Sequence, residues 1–372
     1  MAPAIAVVAG ALASKPRNGG EAWVRLSWLL GLRRLGFDVV FVEEMATCPP
    51  GARSWFEETT EAFAIPDRSL LVGGEAVDGL SRAELLDRVD GADVLVNVSG
   101  NLRDRDVRAR CRRRIYVDVD PGYTQLWHAA GADTALEDHD LHVTVGLNVG
   151  RRGCDLPVDG IRWRRLPPPV VLDEWPVCSV PPGRFTTVAS WRGGYGRVRS
   201  GEVLHGQKAH EFRRLAGLPR MSPHTFEAAL AIDEADAADR ELLVAGGWRL
   251  VDPNAHVGRP DEFRRYVQAS GAELSPVQGV YAETRCGWIG DRTVRYLASG
   301  KPAVVQGTGL PAGLQAGEGL LSFRTVDEAV RAADAVVEDY DRHARAARRL
   351  AERFFDSDRV IGSALADVGV GP

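Results

Sequence analysis

No run of apolar residues in the 372-residue sequence approaches the ~20 that a membrane-spanning helix needs. The opening stretch, Ile5 to Gly10 and its flanks, is too short to span and lacks the basic start of a signal peptide. These absences lead to the expectation of a soluble, cytoplasmic protein. Cysteine is scarce: Cys48, Cys111, Cys154, Cys178 and Cys286 are scattered, odd in number and without a Cys-x-x-Cys pair. That argues against a disulfide framework and against a zinc cluster. The histidines show no paired metal spacing, and His205 and His210, five apart, do not stack on one helix face. An excess of positive charge is missing too. The 46 basic and 51 acidic residues leave a net charge of −5, which argues against an overall basic nucleic-acid binder. No Gly-x-Ser-x-Gly elbow, Walker loop or Gly-x-Gly-x-x-Gly turn follows an expected strand. Hydrolase, kinase and Rossmann oxidoreductase readings lose weight accordingly.

What is present is alternation. Ile5–Gly10 reads as a buried strand, followed by a loop and a helix from Glu21 to about Leu35 that presents Trp23, Leu26, Leu29 and Leu30 on one broad face. Strands are expected at 38–43, 94–98, 115–119 and 142–145, with Ser81 and Glu84 as a helix-opening capping box. Between 166 and 183 six prolines crowd one segment, which reads as an extended linker. The alternation then restarts, with strands at 185–190, 228–232, 249–251, 273–277 and 303–306 and helices between them. A chain of this length fits two domains. Residues 1–166 and 184–355 are therefore expected as two α/β, Rossmann-like domains joined by 167–183. They would face a cleft, the usual ligand site of open α/β folds.

The strongest local signal is Arg285-Cys-Gly-Trp-Ile-Gly-Asp-Arg-Thr-Val-Arg-Tyr-Leu-Ala-Ser-Gly-Lys-Pro302, continuing to Gly307 and Gly309. A glycine-containing turn opens a helix near Gly290, whose free N–H groups suit a diphosphate. Leu297-Ala-Ser-Gly-Lys-Pro302, Val304-Val305 and Gly317-Glu-Gly-Leu-Leu321 together resemble the donor-binding half of GT-B glycosyltransferases. Val188-Ala-Ser-Trp-Arg-Gly193 and Gln207-Lys208 resemble that family's phosphate-binding basic pair, and Asn18-Gly-Gly-Glu21 its first glycine loop. Residues 351–361 look like its last helix, so 356–372 are expected to pack back on the first domain. The chain as a whole looks like actinobacterial glycosyltransferases of natural-product pathways. It lacks the paired glutamates of the large retaining group, since Gly287 and Arg295 stand at the matching positions. Asp291-Arg-Thr-Val-Arg295 is closer to the inverting protein-arginine rhamnosyltransferases.

The resemblance implies transfer of a sugar from a nucleotide-sugar donor to a small-molecule acceptor. The donor is a co-substrate; no cofactor and no metal are implied. Arg192, Lys208, Trp288, Gly290, Asp291, Arg292, Thr293, Gly307 and Gly309 would bind the donor, with its base near 252–257. Arg292, in a first helical turn, is read as a phosphate ligand whose loss would leave the fold intact. Trp191 and Trp288 lie in glycine-rich loops where a sugar or base would stack. Gly19, Gly20, Tyr123 and Trp127 would bind the acceptor. In Tyr116-Val-Asp-Val-Asp120 strand alternation sets Asp118 and Asp120 on one face. The Asp-x-Asp pattern is also a metal motif of the GT-A fold. A base is the preferred reading, with Asp120 taking the acceptor's proton, Asp118 structural, and His128 and Glu21 as rivals. A nucleotide-sugar epimerase of the same fold and a non-catalytic sugar-nucleotide sensor are the alternatives.

Overall fold

The alternating pattern folds into two open sheets flanked by helices. The computed structural model describes residues 3–314 and 317–371. The first sheet contains β1 (Ile5–Ala9), β2 (Asp38–Met45), β3 (Arg68–Val72), β4 (Glu75–Gly79), β5 (Val94–Val98), β6 (Arg114–Asp118), β7 (Leu141–Thr144) and β8 (Trp163–Arg165), in the order β4-β3-β2-β1-β5-β6-β7-β8. All its pairings are parallel except β3 with β4. Those two join through Gly73 and Gly74, both at positive φ (59° and 91°), as a tight two-residue hairpin turn requires. The sequence reading passed over this Gly-Gly signal.

The second sheet is wholly parallel. It contains β9 (Arg184–Ser190), β12 (Thr225–Ala231), β13 (Arg249–Val251), β14 (Ala272–Ser275), β15 (Ala303–Gln306) and β16 (Leu320–Phe323), in the order β13-β12-β9-β14-β15-β16. Two short strands, β10 (Arg199–Ser200) and β11 (Val203–Leu204), form a separate hairpin in the loop after β9. Central strands are buried on both faces, β5 throughout its length, as helices on both sides of a parallel sheet demand. In each sheet the first strand is central and the chain winds outward in both directions. The direction reverses between β1 and β5 and between β9 and β14, and there the departing loops leave a crevice at the carboxyl ends.

The helix Gly19–Arg34 does not present the single apolar face expected of it. Ten of its sixteen residues are buried, because it lies between the first sheet and the second half of the chain. Trp23 packs its ring edge-on to Trp175 at 4.9 Å and donates Nε1–H to the Pro260 carbonyl at 2.8 Å. Residues 166–183 are likewise more than an extended linker. Val170 bridges to Asp356, a 3-10 turn covers Leu172–Glu174, and Trp175 is wholly buried. Proline denies this segment a place in a sheet, but its apolar side chains still find a core. The helix Ser357–Asp367 then lies against Gly19–Arg34. A side chain at Gly31 would meet Ile361 at 2.4 Å, and Arg34 pairs with Asp358 at 3.0 Å. Among the described residues no helix is long and apolar enough to cross a membrane.

Candidate functional site

The crevice between β9 and β14 holds two cations. Lys208 opens the helix Lys208–Arg214, and its backbone N–H donates to Gln278 Oε1 at 2.7 Å. Its ammonium makes no hydrogen bond or ion pair with any described residue. Burial, and then the neighbouring Arg292, pull its pKa down to about 8. Arg292, expected as a phosphate ligand, is already engaged by protein groups. It is largely enclosed, with 11% of its side chain exposed, ion-paired with Glu273 of β14 at 2.5 Å, and donates to the Val188 carbonyl of β9 and to Ser275 Oγ. It therefore laces together the two strand ends that floor the crevice. The expectation that its loss leaves the fold intact is corrected here, since Glu273, with no exposed side-chain surface, would lose its counter-charge.

Across the cleft stands Asp120, two residues past the end of β6. Its carboxylate accepts from the hydroxyl of Tyr281 at 3.0 Å and from that of Tyr195 at 3.3 Å, both from the second half. Burial, reinforced by the charges of Glu21 and Asp118 and opposed by Lys15, raises its pKa from 3.8 to about 6. Asp118 is buried and saturated, accepting from Thr124, Gln125, Thr144 and the Asp120 N–H. That network fixes the start of the helix Tyr123–Ala129 and leaves Asp118 a structural role. Glu21 pairs with Lys15 at 3.0 Å and with Arg25, and is held down at about 2 despite burial. Two nearby carboxylates are thus pushed apart, one fixed as an anion and one poised near neutrality. His128 hydrogen-bonds Thr134 at 3.3 Å and makes no contact with Asp120.

Several expected ligands serve other ends. A Cβ at Gly19 would lie 2.4 Å from the Arg259 carbonyl and one at Gly20 would lie 3.1 Å from the Phe263 ring. Both glycines are given to packing between the halves, not to an open acceptor surface. Trp191 is buried and bonded to Asp239, so it offers no stacking face. Arg192 forks onto Asp236, Asp291 pairs with Arg295, and Thr293 is completely buried. Arg192 and Asp291 are thus already ion-paired, whereas Thr293 Oγ1 has no hydrogen-bond partner among the described residues. Arg295 also donates to Ser27 of the first half at 3.3 Å, so this position braces the two halves. Gly290 caps the helix Asp291–Ala298, and Trp288 stacks on Tyr281 with ring centroids 4.5 Å apart. Gly307 and Gly309 line a cavity of about 490 Å³ with Arg285 and Arg324. A second cavity, of about 500 Å³, opens at the ends of β12 and β13 and is lined by Asp252, Pro253 and Asn254. Tyr123 and Trp127 meet Tyr195 at 5.2 and 4.9 Å in an aromatic group beside Asp120.

The sequence reading missed Tyr195, Tyr281 and Glu43. Glu43, at the inner end of β2, accepts from the backbone N–H groups of Leu12, Ala13 and Ser14 and so shapes the loop that carries Lys15. A carboxylate late in an apolar strand was the available signal. For the tyrosines there was none, because their partner lies 75 and 161 residues away.

No protein-family model matches the sequence, and no curated protein is similar to it. Solved structures do match over nearly the whole chain. HepE from Anabaena in complex with UDP and glucose superposes with a TM-score of 0.59 at 12% identity, covering 98% of this chain and 99% of that one. An alpha-glucosyltransferase in complex with UDP-glucose and DNA containing an abasic site gives 0.61 at 12%, covering 98% of each. A glycosyltransferase from Rickettsia africae gives 0.54 at 10%, again covering 98% of each. At such identities the likeness speaks for architecture. This chain has the GT-B fold, two Rossmann-like halves facing a cleft.

Proposed function

We propose that this protein is a glycosyltransferase that moves a sugar from a nucleoside-diphosphate sugar to a hydroxyl group of a small molecule. One observation carries the reading. A carboxylate poised at about pH 6, Asp120, faces a crevice whose Lys208 ammonium has no hydrogen-bond or ion-pair partner among the described residues. An anion at Lys208 and a proton acceptor across the cleft are the two ends that displacement at an anomeric carbon needs. The UDP and UDP-glucose complexes of the similar folds support a uridine diphosphate sugar as donor.

The chemistry follows from the placement. The diphosphate lies against Lys208 and the positive end of the helix that begins after Gly290, with Arg292 behind them supplying field. The nucleoside base occupies the cavity at Asp252–Asn254. Asp120 removes the acceptor proton as the oxygen attacks, and the leaving diphosphate keeps its electron pair. A single carboxylate acting as base supports direct displacement, hence inversion. Glu21, ionised throughout, holds Lys15 and Arg25 in place and raises Asp120 towards neutrality. A natural-product acceptor accords with the aromatic group beside Asp120.

The test is a thermal-shift and calorimetric screen of UDP-, GDP- and dTDP-sugars, followed by product analysis with and without acceptor. UDP-glucose binding and acceptor-dependent release of UDP are the expected results. No binding by any nucleotide sugar would sink the proposal. A changed sugar nucleotide in the absence of acceptor would favour an epimerase, and binding without turnover a sensor.

A further inference from the structure

Both oxygens of Asp120 are occupied, and by the same chemical group. Tyr281 holds Oδ1 at 3.0 Å and Tyr195 holds Oδ2 at 3.3 Å. The two tyrosines are not equivalent. Tyr281 is 4% exposed and stacked on Trp288, so it has nowhere to go. Tyr195 is 45% exposed and sits in the loop between β9 and the helix Lys208–Arg214. Its bond to Asp120 is also the longer. Of the two, Tyr195 is the one that can give up its place beside Asp120 to an acceptor.

We propose, resting on the glycosyltransferase reading above, that Tyr195 holds the place of the acceptor and that the acceptor is a phenol. Three features bear on this. The hydroxyl that Asp120 now binds on Oδ2 is phenolic, and the ring behind it is walled by Trp127 at 4.9 Å and Tyr123 at 5.2 Å. A flat aromatic ring entering in its stead meets the same faces and edges. Proton affinities agree. A phenol near pKa ~10 lies much closer to a base at about 6 than an aliphatic hydroxyl near that of water, ~15.7.

The step balances. The phenol proton passes to Asp120 Oδ2 while the phenol oxygen forms the bond to the anomeric carbon. The bond from that carbon to the diphosphate breaks, and its electron pair leaves on the phosphate oxygen beside Lys208. An aryl glycoside and a nucleoside diphosphate result.

The experiment compares phenol, cyclohexanol and a short DNA duplex as acceptors for UDP-glucose, using wild type, Tyr195→Phe and Tyr195→Ala. Donor binding is measured by calorimetry on the same preparations. Wild type should transfer to phenol with kcat/KM at least about tenfold above cyclohexanol. Tyr195→Phe frees Oδ2 and keeps the ring, so its KM for phenol should fall severalfold. Tyr195→Ala vacates the place and leaves the Trp127 and Tyr123 walls, so its KM for phenol should also fall and the preference for phenol persist. Preference for cyclohexanol or DNA in wild type, or a phenol KM that rises or stays unchanged in both variants, would overturn the inference. Donor binding without transfer to phenol overturns it while the donor reading stands. Absence of donor binding removes both.

Discussion

Asp120→Asn should cost activity and gain stability, and the two effects have one cause. The folded protein raises this carboxyl from 3.8 to about 6, so it binds its proton more tightly than the unfolded chain does. Wild-type stability therefore falls as pH rises from about 4 to about 6 and stays at the lower value above that. Each unit corresponds to about 1.4 kcal/mol, and two units with partial solvent access suggest about 1–3 kcal/mol. Asparagine has no charge to desolvate, and its carbonyl still accepts from Tyr281. At pH 8 the variant should resist urea better than wild type by that amount, and at pH 4 the advantage should vanish. Turnover should drop about 10²–10⁴-fold, the usual contribution of a positioned base. In wild type kcat/KM should rise through pH 6 and level off, since only ionised Asp120 accepts a proton. The groups that set this limb are Glu21 and Asp118, which raise it, Lys15, which lowers it, and the tyrosine hydroxyls of Tyr281 and Tyr195 with Lys208 beyond. Glu21→Gln should move the limb to lower pH. An Asp120→Asn protein that keeps more than about a tenth of its activity, or that is less stable at pH 8, would refute the assignment.

Three further outcomes follow from the second half. Arg292→Ala should destabilise the protein by about 3–5 kcal/mol in chemical denaturation, because it strands the buried Glu273 carboxylate; unchanged stability would show that the pair matters little. Lys208→Met should weaken UDP-glucose binding by about 1.5–3 kcal/mol, and wild-type affinity should fall as pH rises through about 8, where the ammonium loses its charge; calorimetry across that range checks both. Turnover should persist in EDTA, because the proposed diphosphate site is built of Lys208 and helix N–H groups; activity lost on chelation and restored by Mn²⁺ would reverse this.

Much of the fold was written in local pattern. β5 and β13 fall on the residues whose apolar runs announced them, and Ser81 with Glu84 forms the capping box that its spacing implied. Such features depend on neighbours within a few positions, so the sequence alone determined them. The strand that ends just before Asp120 and the helix that opens after Gly290 were legible for the same reason. What each side chain does there was not legible. Arg292 looked like a free cation until β14 placed Glu273 beneath it, and Gly19 looked like a ligand loop until Arg259 closed on it. The carboxyls of Asp120 and Glu21 shifted in opposite directions only when burial and the cations Lys15 and Arg25 were brought beside them. Desolvation and Coulomb energy depend on distance in space, and residues 75 to 161 positions apart have no distance until the chain has folded.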